Sequence, residues 1–186
     1  MNFNRHFEIE GKHAFLSASK YHWVNYDSEK LKTAYWNYRA AERGTELHDF
    51  AKRCIKLGIR LPKSKNSLNQ HVNDAIGFRM VPEQPLYFSD NCFGTADAIS
   101  FDEKTRMLRI HDLKTGETPA SPKQLEIYAA IFCHEYKKNP QEISIELRIY
   151  QGGEVLQHFP DPNDIQKIMN QIVQFDRIIE KEKLKG

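Results

Sequence analysis

The chain has 186 residues, of which 40% are hydrophobic and 28% charged, with a formal net charge of +2. That balance excludes a disordered chain, and the length suits one domain with a real core. No apolar run approaches the roughly 18 residues that span a bilayer, so no membrane partner is expected.

Residues 1–12 are polar, carry His6, Glu8 and Glu10, and lack the apolar stretch of a secretory signal. The expected location is therefore the cytoplasm. Cys54, Cys92 and Cys133 are far apart and form no CxxC pair, which argues against a zinc ribbon or an iron–sulfur cluster and for three reduced, partly buried thiols. The charge is uneven. Residues 1–80 hold 14 Lys/Arg against 8 Asp/Glu, and residues 81–186 hold 13 against 17. A basic half beside an acidic half suits a polyanion held next to a carboxylate metal site; a plain solvated helical surface would look the same.

In chain order, Ser17 to Trp23 is expected to start a short helix capped by Ser17 or Ser19. Glu29 to Ala41 has Leu31, Ala34, Tyr35 and Tyr38 at helical spacing, and Gly44 to Leu57 continues the pattern up to a stop at Gly58. Arg60 to Lys65 reads as a basic loop, after which Asn66 or Ser67 caps a helix to about Gly77. Val81 to Phe88, Phe93 to Phe101 and Met107 to Leu113 fit strands. Ser121-Pro122-Lys123-Gln124 has the form of a capping box for a helix reaching Tyr136. Ile143 to Tyr150 and Val155 to Phe159 are strands joined through Gly152-Gly153, and Asp161-Pro162 opens a last amphipathic helix. The expected fold class is α/β: a central mixed β-sheet of about five strands flanked by helices, with a helical N-terminal region. The chain is read as one domain, with residues 1–80 helical and basic, 81–160 the sheet and its helix, and 161–186 the C-terminal helix.

The chemistry concentrates in GTADAIS, HDLKTG and QLEIY. Asp97 and Asp112 fall in adjacent strands, and a hairpin closing near residues 102–105 could bring both carboxylates to one end of the sheet. Two carboxylates converging there repel unless a cation lies between them, and Mg²⁺ or Mn²⁺ is the natural occupant. Lys114 follows Asp112 by two residues, so both side chains share a strand face. A lysine beside a metal-bound carboxylate can orient attacking water and offset charge on a phosphate, which is the chemistry of phosphodiester hydrolysis. Glu83, in the strand ahead of Asp97, is a candidate carboxylate supporting the site from outside the ligand set. His111 alternates away from Asp112 and reads as packing or surface. The aromatic stretch from Tyr21 to Tyr38 reads mostly as packing, with some of its basic residues available to phosphates.

These motifs resemble the PD-(D/E)XK nuclease superfamily, nearest its RecB-like branch, whose relatives include phage-type exonucleases and CRISPR-adaptation nucleases. Gly44-Thr45-Glu46-Leu47-His48 matches the helical G-x-x-x-H motif of that branch, and the similarity covers roughly residues 44–128. It implies a restriction-endonuclease-like core. It also implies His48, Asp97, Asp112 and the Leu113 carbonyl as metal ligands, Lys114 as the catalytic lysine, and Gln124 and Tyr128 as the Q-x-x-x-Y pair that positions DNA or the metal centre. The expected activity is a Mg²⁺- or Mn²⁺-dependent deoxyribonuclease, preferably an exonuclease. It would serve recombination, repair or phage DNA processing in a prokaryotic or phage-infected cell, with an annealing protein or helicase as possible partner. The cysteines do not match the cluster-bearing relatives, so no iron–sulfur cluster is expected. No G-x-x-x-x-G-K-[ST] loop is present, so no ATP is expected either. The alternatives are an inactive nucleic-acid-binding protein on the same fold and a structure-specific endonuclease.

Overall fold

The structure is a computed structural model and describes residue 7 and residues 14–185. The polar stretch at residues 1–12 lies, apart from Phe7, outside the described residues. Two compact units divide the chain, Met1–Thr45 and Glu46–Gly186, and the division falls inside a helix with no linker between them.

In the first unit, Ala18–Asn25 forms a 3-10 helix. Ser17 precedes it but gives no side-chain cap, contrary to the expectation; its hydroxyl is hydrogen-bonded to that of Ser19 at 2.8 Å. The Ser17 carbonyl instead accepts from Trp23 Nε1 at 2.9 Å. The helix α1 (Ser28–Leu57) follows, its start capped by Asp27 Oδ1, which accepts from Lys30 N at 2.8 Å. Within this unit, Tyr35 and Tyr38 pack on Phe15 with ring centroids 5.4 Å apart in each case, whereas Trp36 and Tyr21 are exposed.

In the second unit α1 ends as its Gly58 predicts. Gly58 adopts φ 67, and the N–H groups of Gly58 and Ile59 donate to Ile55 O at 3.2 Å and Cys54 O at 2.9 Å. These two bonds satisfy carbonyls of the last turn, and the left-handed φ is why glycine stands there. The helix α2 (Ser67–Gly77) is capped by the Asn66 side chain, which accepts from Leu68 N and Asn69 N.

Five strands follow: β1 (Val81–Ser89), β2 (Cys92–Asp102), β3 (Met107–Leu113), β4 (Ser144–Gln151) and β5 (Glu154–His158). They form one sheet in the order β1-β2-β3-β4-β5, with β3 and β4 parallel and the other pairs antiparallel. The parallel pair needs a crossover, and α3 (Lys123–Glu135) supplies it. Gly152 and Gly153, at φ 58 and 84, make the turn between β4 and β5. The helix α4 (Pro162–Lys183) is capped by Asp161, which accepts from Asn163 N at 2.8 Å.

The sheet carries a core on each face. One joins Leu108, Ile110 and Leu147 to α3 and to Ile165 and Met169 of α4. The other joins Ala98, Leu113 and Tyr150 to Ala51, Cys54 and Ile55 of α1 and to Val72 and Ala75 of α2. The three thiols are unpaired; Cys54 and Cys133 are buried and Cys92 half-buried. Among the described residues no helix is long and apolar enough to cross a membrane.

Candidate metal centre

Strand register sets the acidic residues in line. The pairs Pro82–Ala98 and Gln84–Ala96 flank Glu83 and Asp97, and the β2–β3 ladder ends at Ala98–His111, so Asp97 and Asp112 are the first residues beyond its last pair. Glu83, Asp97 and Asp112 therefore form one row across β1, β2 and β3. Like charges in such a row repel one another.

Two strands of this row, β1 and β2, are irregular where it crosses them. Glu83 lies in the left-handed region at φ 51, which costs a non-glycine residue about 1–2 kcal/mol. On β2, Ala96 packs into the core of α3, Ala98 into the core of α1 and α2, and Ile99 into the core of α3 again. A regular strand would hold residues 96 and 98 on one face, so β2 changes face at Asp97.

The apolar stripe of α1 brings His48 to this point. Ala51, Cys54 and Ile55 bury against Ala98 and Leu113, and His48, one turn before Ala51, shares their side of the helix. His48 Nδ1 lies 3.3 Å from Asp97 Oδ2. The Leu113 backbone enters the site through its N–H, which donates to the same oxygen at 2.8 Å. On β3, Asp112 is buried, and its Oδ2 has no hydrogen bond of good geometry; its cationic neighbour is Lys114 Nζ at 3.2 Å. Lys114 Nζ also donates to Gln124 Oε1 at 2.8 Å, and Gln124 Nε2 donates to Tyr128 OH at 3.1 Å.

That chain corrects the expectation at the start of α3. Ser121 Oγ accepts from Lys123 N at 3.3 Å, but the Gln124 side chain does not return to Ser121. Both ends of its amide are engaged by Lys114 and Tyr128, so the capping box does not form, and the residue ahead of Lys123 is Pro122, which gives no side-chain cap.

The electrostatics divide the acids. Burial alone would raise the Asp97 carboxyl, but the hydrogen bond and charge of His48, with the Leu113 N–H, outweigh it and hold Asp97 below the usual carboxylate range. The same hydrogen bond raises His48 above the usual imidazole value, against its burial. Burial, and then the charge of Asp97, push both Glu83 and Asp112 upward; Lys114 opposes this at Asp112.

His48, Glu83 and Asp97 each offer one ligand atom, all within 4.8 Å of one another. Asp112 stands beside this group and not within it. The set could hold a metal ion: two carboxylates and an imidazole suit a divalent cation, and beside it the buried Asp112 Oδ2 has the Lys114 ammonium at 3.2 Å but no well-formed hydrogen bond. Glu83, expected outside the ligand set, thus falls in the close group.

Two further residues were not singled out from the sequence. His71 is buried on α2 and bears electrostatically on Asp97; its spacing from Val72 and Ala75 marks the buried side of that helix. Lys52, one turn beyond His48, bears on Glu83. His111 is fully buried and not at the surface, with its Nδ1 3.1 Å from Tyr150 OH. In comparison with known proteins, no family model matches the chain and no curated protein matches it.

Proposed function

We propose that the chain is a metal-dependent deoxyribonuclease of the PD-(D/E)XK type, on a restriction-endonuclease-like core of the RecB-like branch. The observation that carries this reading is the buried Asp112 carboxylate, paired with Lys114 at the end of β3 and set in one row with Asp97 beneath His48. A structural ion pair has no need of a second carboxylate and an imidazole crowded against it.

His48, Glu83, Asp97 and Asp112 would hold Mg²⁺ or Mn²⁺, and the Leu113 carbonyl, on the residue between Asp112 and Lys114, remains the proposed main-chain ligand. The cation, when bound, polarises a phosphate oxygen and makes water acidic enough to attack near neutral pH. His48 and the Leu113 N–H hold Asp97 ionised and fixed in orientation. Gln124 holds Lys114 Nζ in place from α3, so that the ammonium can steady the nucleophile and the charge that gathers on the phosphate. Tyr128 holds the far end of Gln124. The preference for an exonuclease acting in recombination, repair or phage DNA processing, beside an annealing protein or helicase in the cytoplasm, follows from the resemblance of the motifs.

The test is incubation of the protein with linear 5′-labelled, linear 3′-labelled and circular DNA in Mn²⁺. Cleavage that EDTA abolishes and that Asp112→Ala or Lys114→Ala nearly eliminates is the expected result. Binding without cutting selects a DNA-binding protein on this fold, and neither binding nor cutting sinks the proposal. Digestion confined to linear substrates identifies an exonuclease, and the labelled ends give its direction.

A further inference from the structure

The sequence from Glu46 to Asn66 carries six Lys/Arg and two acidic residues. Arg53 and Lys56 lie one turn apart on the exposed side of α1, opposite the buried Ala51, Cys54 and Ile55. Arg60, Lys63 and Lys65 continue outward along the loop after Gly58 and are also exposed. None of these cations is ion-paired among the described residues. Elsewhere in the same unit Arg106, Arg109, Lys114, Lys123, Lys138 and Arg148 each pair with a carboxylate, while Arg79, Lys104, Lys137, Arg177 and Lys181, without an ion pair among the described residues, are dispersed along the chain.

The loop that presents them is clamped from below. Asn73 brackets Leu61, accepting from its N–H at 2.9 Å and donating to its carbonyl at 2.8 Å. Asn69 donates to Pro62 O at 2.9 Å, and Gln70 to Lys65 O at 3.0 Å. Three amides of α2 thus satisfy the loop backbone and leave its cationic side chains without carboxylate partners. Between loop and helix lies a concavity of about 350 Å³ lined by Arg60, Lys63, Ser64, Gln70, Asn73 and Asp74. Its carboxylate, Asp74, is already held by Arg148 at 3.0 Å and Tyr150 at 2.7 Å. The other end of the strip approaches the acids, since Arg53 and Lys56 follow His48 on α1 within two to three turns, and His48 Nδ1 lies 3.3 Å from Asp97 Oδ2.

We infer that Arg53, Lys56, Arg60, Lys63 and Lys65 form a track for the sugar–phosphate backbone of DNA leading to the carboxylate row. An array of fixed, unpaired cations on a backbone pinned in place matches a polyanion of regular charge spacing, because each phosphate contact releases counterions without first breaking a salt bridge. The track rests on the nuclease reading for its choice of DNA as the polyanion.

The test is binding of a fluorescein-labelled duplex by the full chain in EDTA, followed by anisotropy across a salt series. The variant carrying Arg53→Gln, Lys56→Gln, Arg60→Gln and Lys63→Gln is compared with one carrying Lys104→Gln, Lys137→Gln, Arg177→Gln and Lys181→Gln. The track variant is expected to bind about 10²-fold more weakly at 0.1 M salt and to lose about 3 from the slope of log K against log salt, with the control near wild type. Equal losses in both variants, an unchanged slope, or no DNA binding by the wild type would overturn the track. If the slope difference is found but Mn²⁺ elicits no cleavage, the nuclease reading fails and the track stands.

Discussion

Gly94 lies so close to the Tyr128 ring that a Cβ at this position would come within 2.7 Å of Tyr128 Cε1. The glycine of the G-T-A-D strand is therefore explained by contact with the tyrosine of the α3 motif. Gly94→Ala is expected to cost about 1–3 kcal/mol as an overpacking change. Most of that cost should vanish in a Tyr128→Leu background, where no ring tip remains to clash. Urea unfolding of the two single variants and the double variant measures the coupling; additive effects would show that the two residues do not meet.

Asp112 opposes stability and serves function at the same atoms. Its carboxyl is raised by burial and by Asp97, so above pH 4 the ionised form weakens the fold. Asp112→Asn is accordingly expected to raise Tm by a few degrees at pH 7 while removing cleavage. A lowered Tm would mean that the Lys114 pair stabilises more than the burial costs.

Glu83 joins His48 and Asp97 in the close ligand group, and its φ of 51 lies in the left-handed region, where a non-glycine residue is strained. Direct titration with Mn²⁺, followed by calorimetry or by the signal of free Mn²⁺, should show Glu83→Gln weakening binding at least about tenfold, comparably to Asp97→Asn. Unchanged affinity would place Glu83 outside the ligand set.

The chain from Lys114 through Gln124 to Tyr128 should have a graded effect on rate. Lys114→Ala removes the charge itself and is expected to lower kcat about 10²–10³-fold. Gln124→Ala frees the ammonium without removing it, and a loss of about tenfold is expected. The ordering is read from single-turnover cleavage; a larger loss in Gln124→Ala would assign the glutamine a role of its own on the DNA.

Burial pushes His71 down to about 4 from 6.5. The unfolded chain binds this proton more readily than the folded one, so stability is complete above about pH 6.5 and declines as pH falls toward 4. The loss amounts to about 3 kcal/mol. His71 Nδ1 has no hydrogen-bond partner, which makes His71→Leu a tolerable change. Urea unfolding at pH 7.5 and 4.5 should show a smaller difference for that variant than for wild type; an equal difference would assign the acid sensitivity to other groups.

The sequence by itself determined what is local. Hydrophobic period, turn residues and caps are properties of neighbouring positions, so β3 at Met107–Leu113, α2 from Ser67 to Gly77 and the stop at Gly58 are legible without any tertiary contact. The mixed five-stranded sheet follows from the order of those elements, because a helix between β3 and β4 allows a parallel pair while short turns force antiparallel ones. The candidate residues were legible by type and spacing as well. Their arrangement was decided only by the tertiary structure. β2 changes face at Asp97 and Glu83 turns left-handed beside it, which no alternation pattern records, and Gln124 turns to Lys114 instead of completing the cap of its own helix. Asp97, Asp112 and Lys114 were visible as a trio in the sequence; it took the register of three strands and the docking of α1 to divide them into Asp97 with His48 and Glu83, and Asp112 with Lys114. The reason is physical. Local preferences act over a few residues, whereas the partner of a buried charge is settled by whichever distant strand or helix brings the nearest donor.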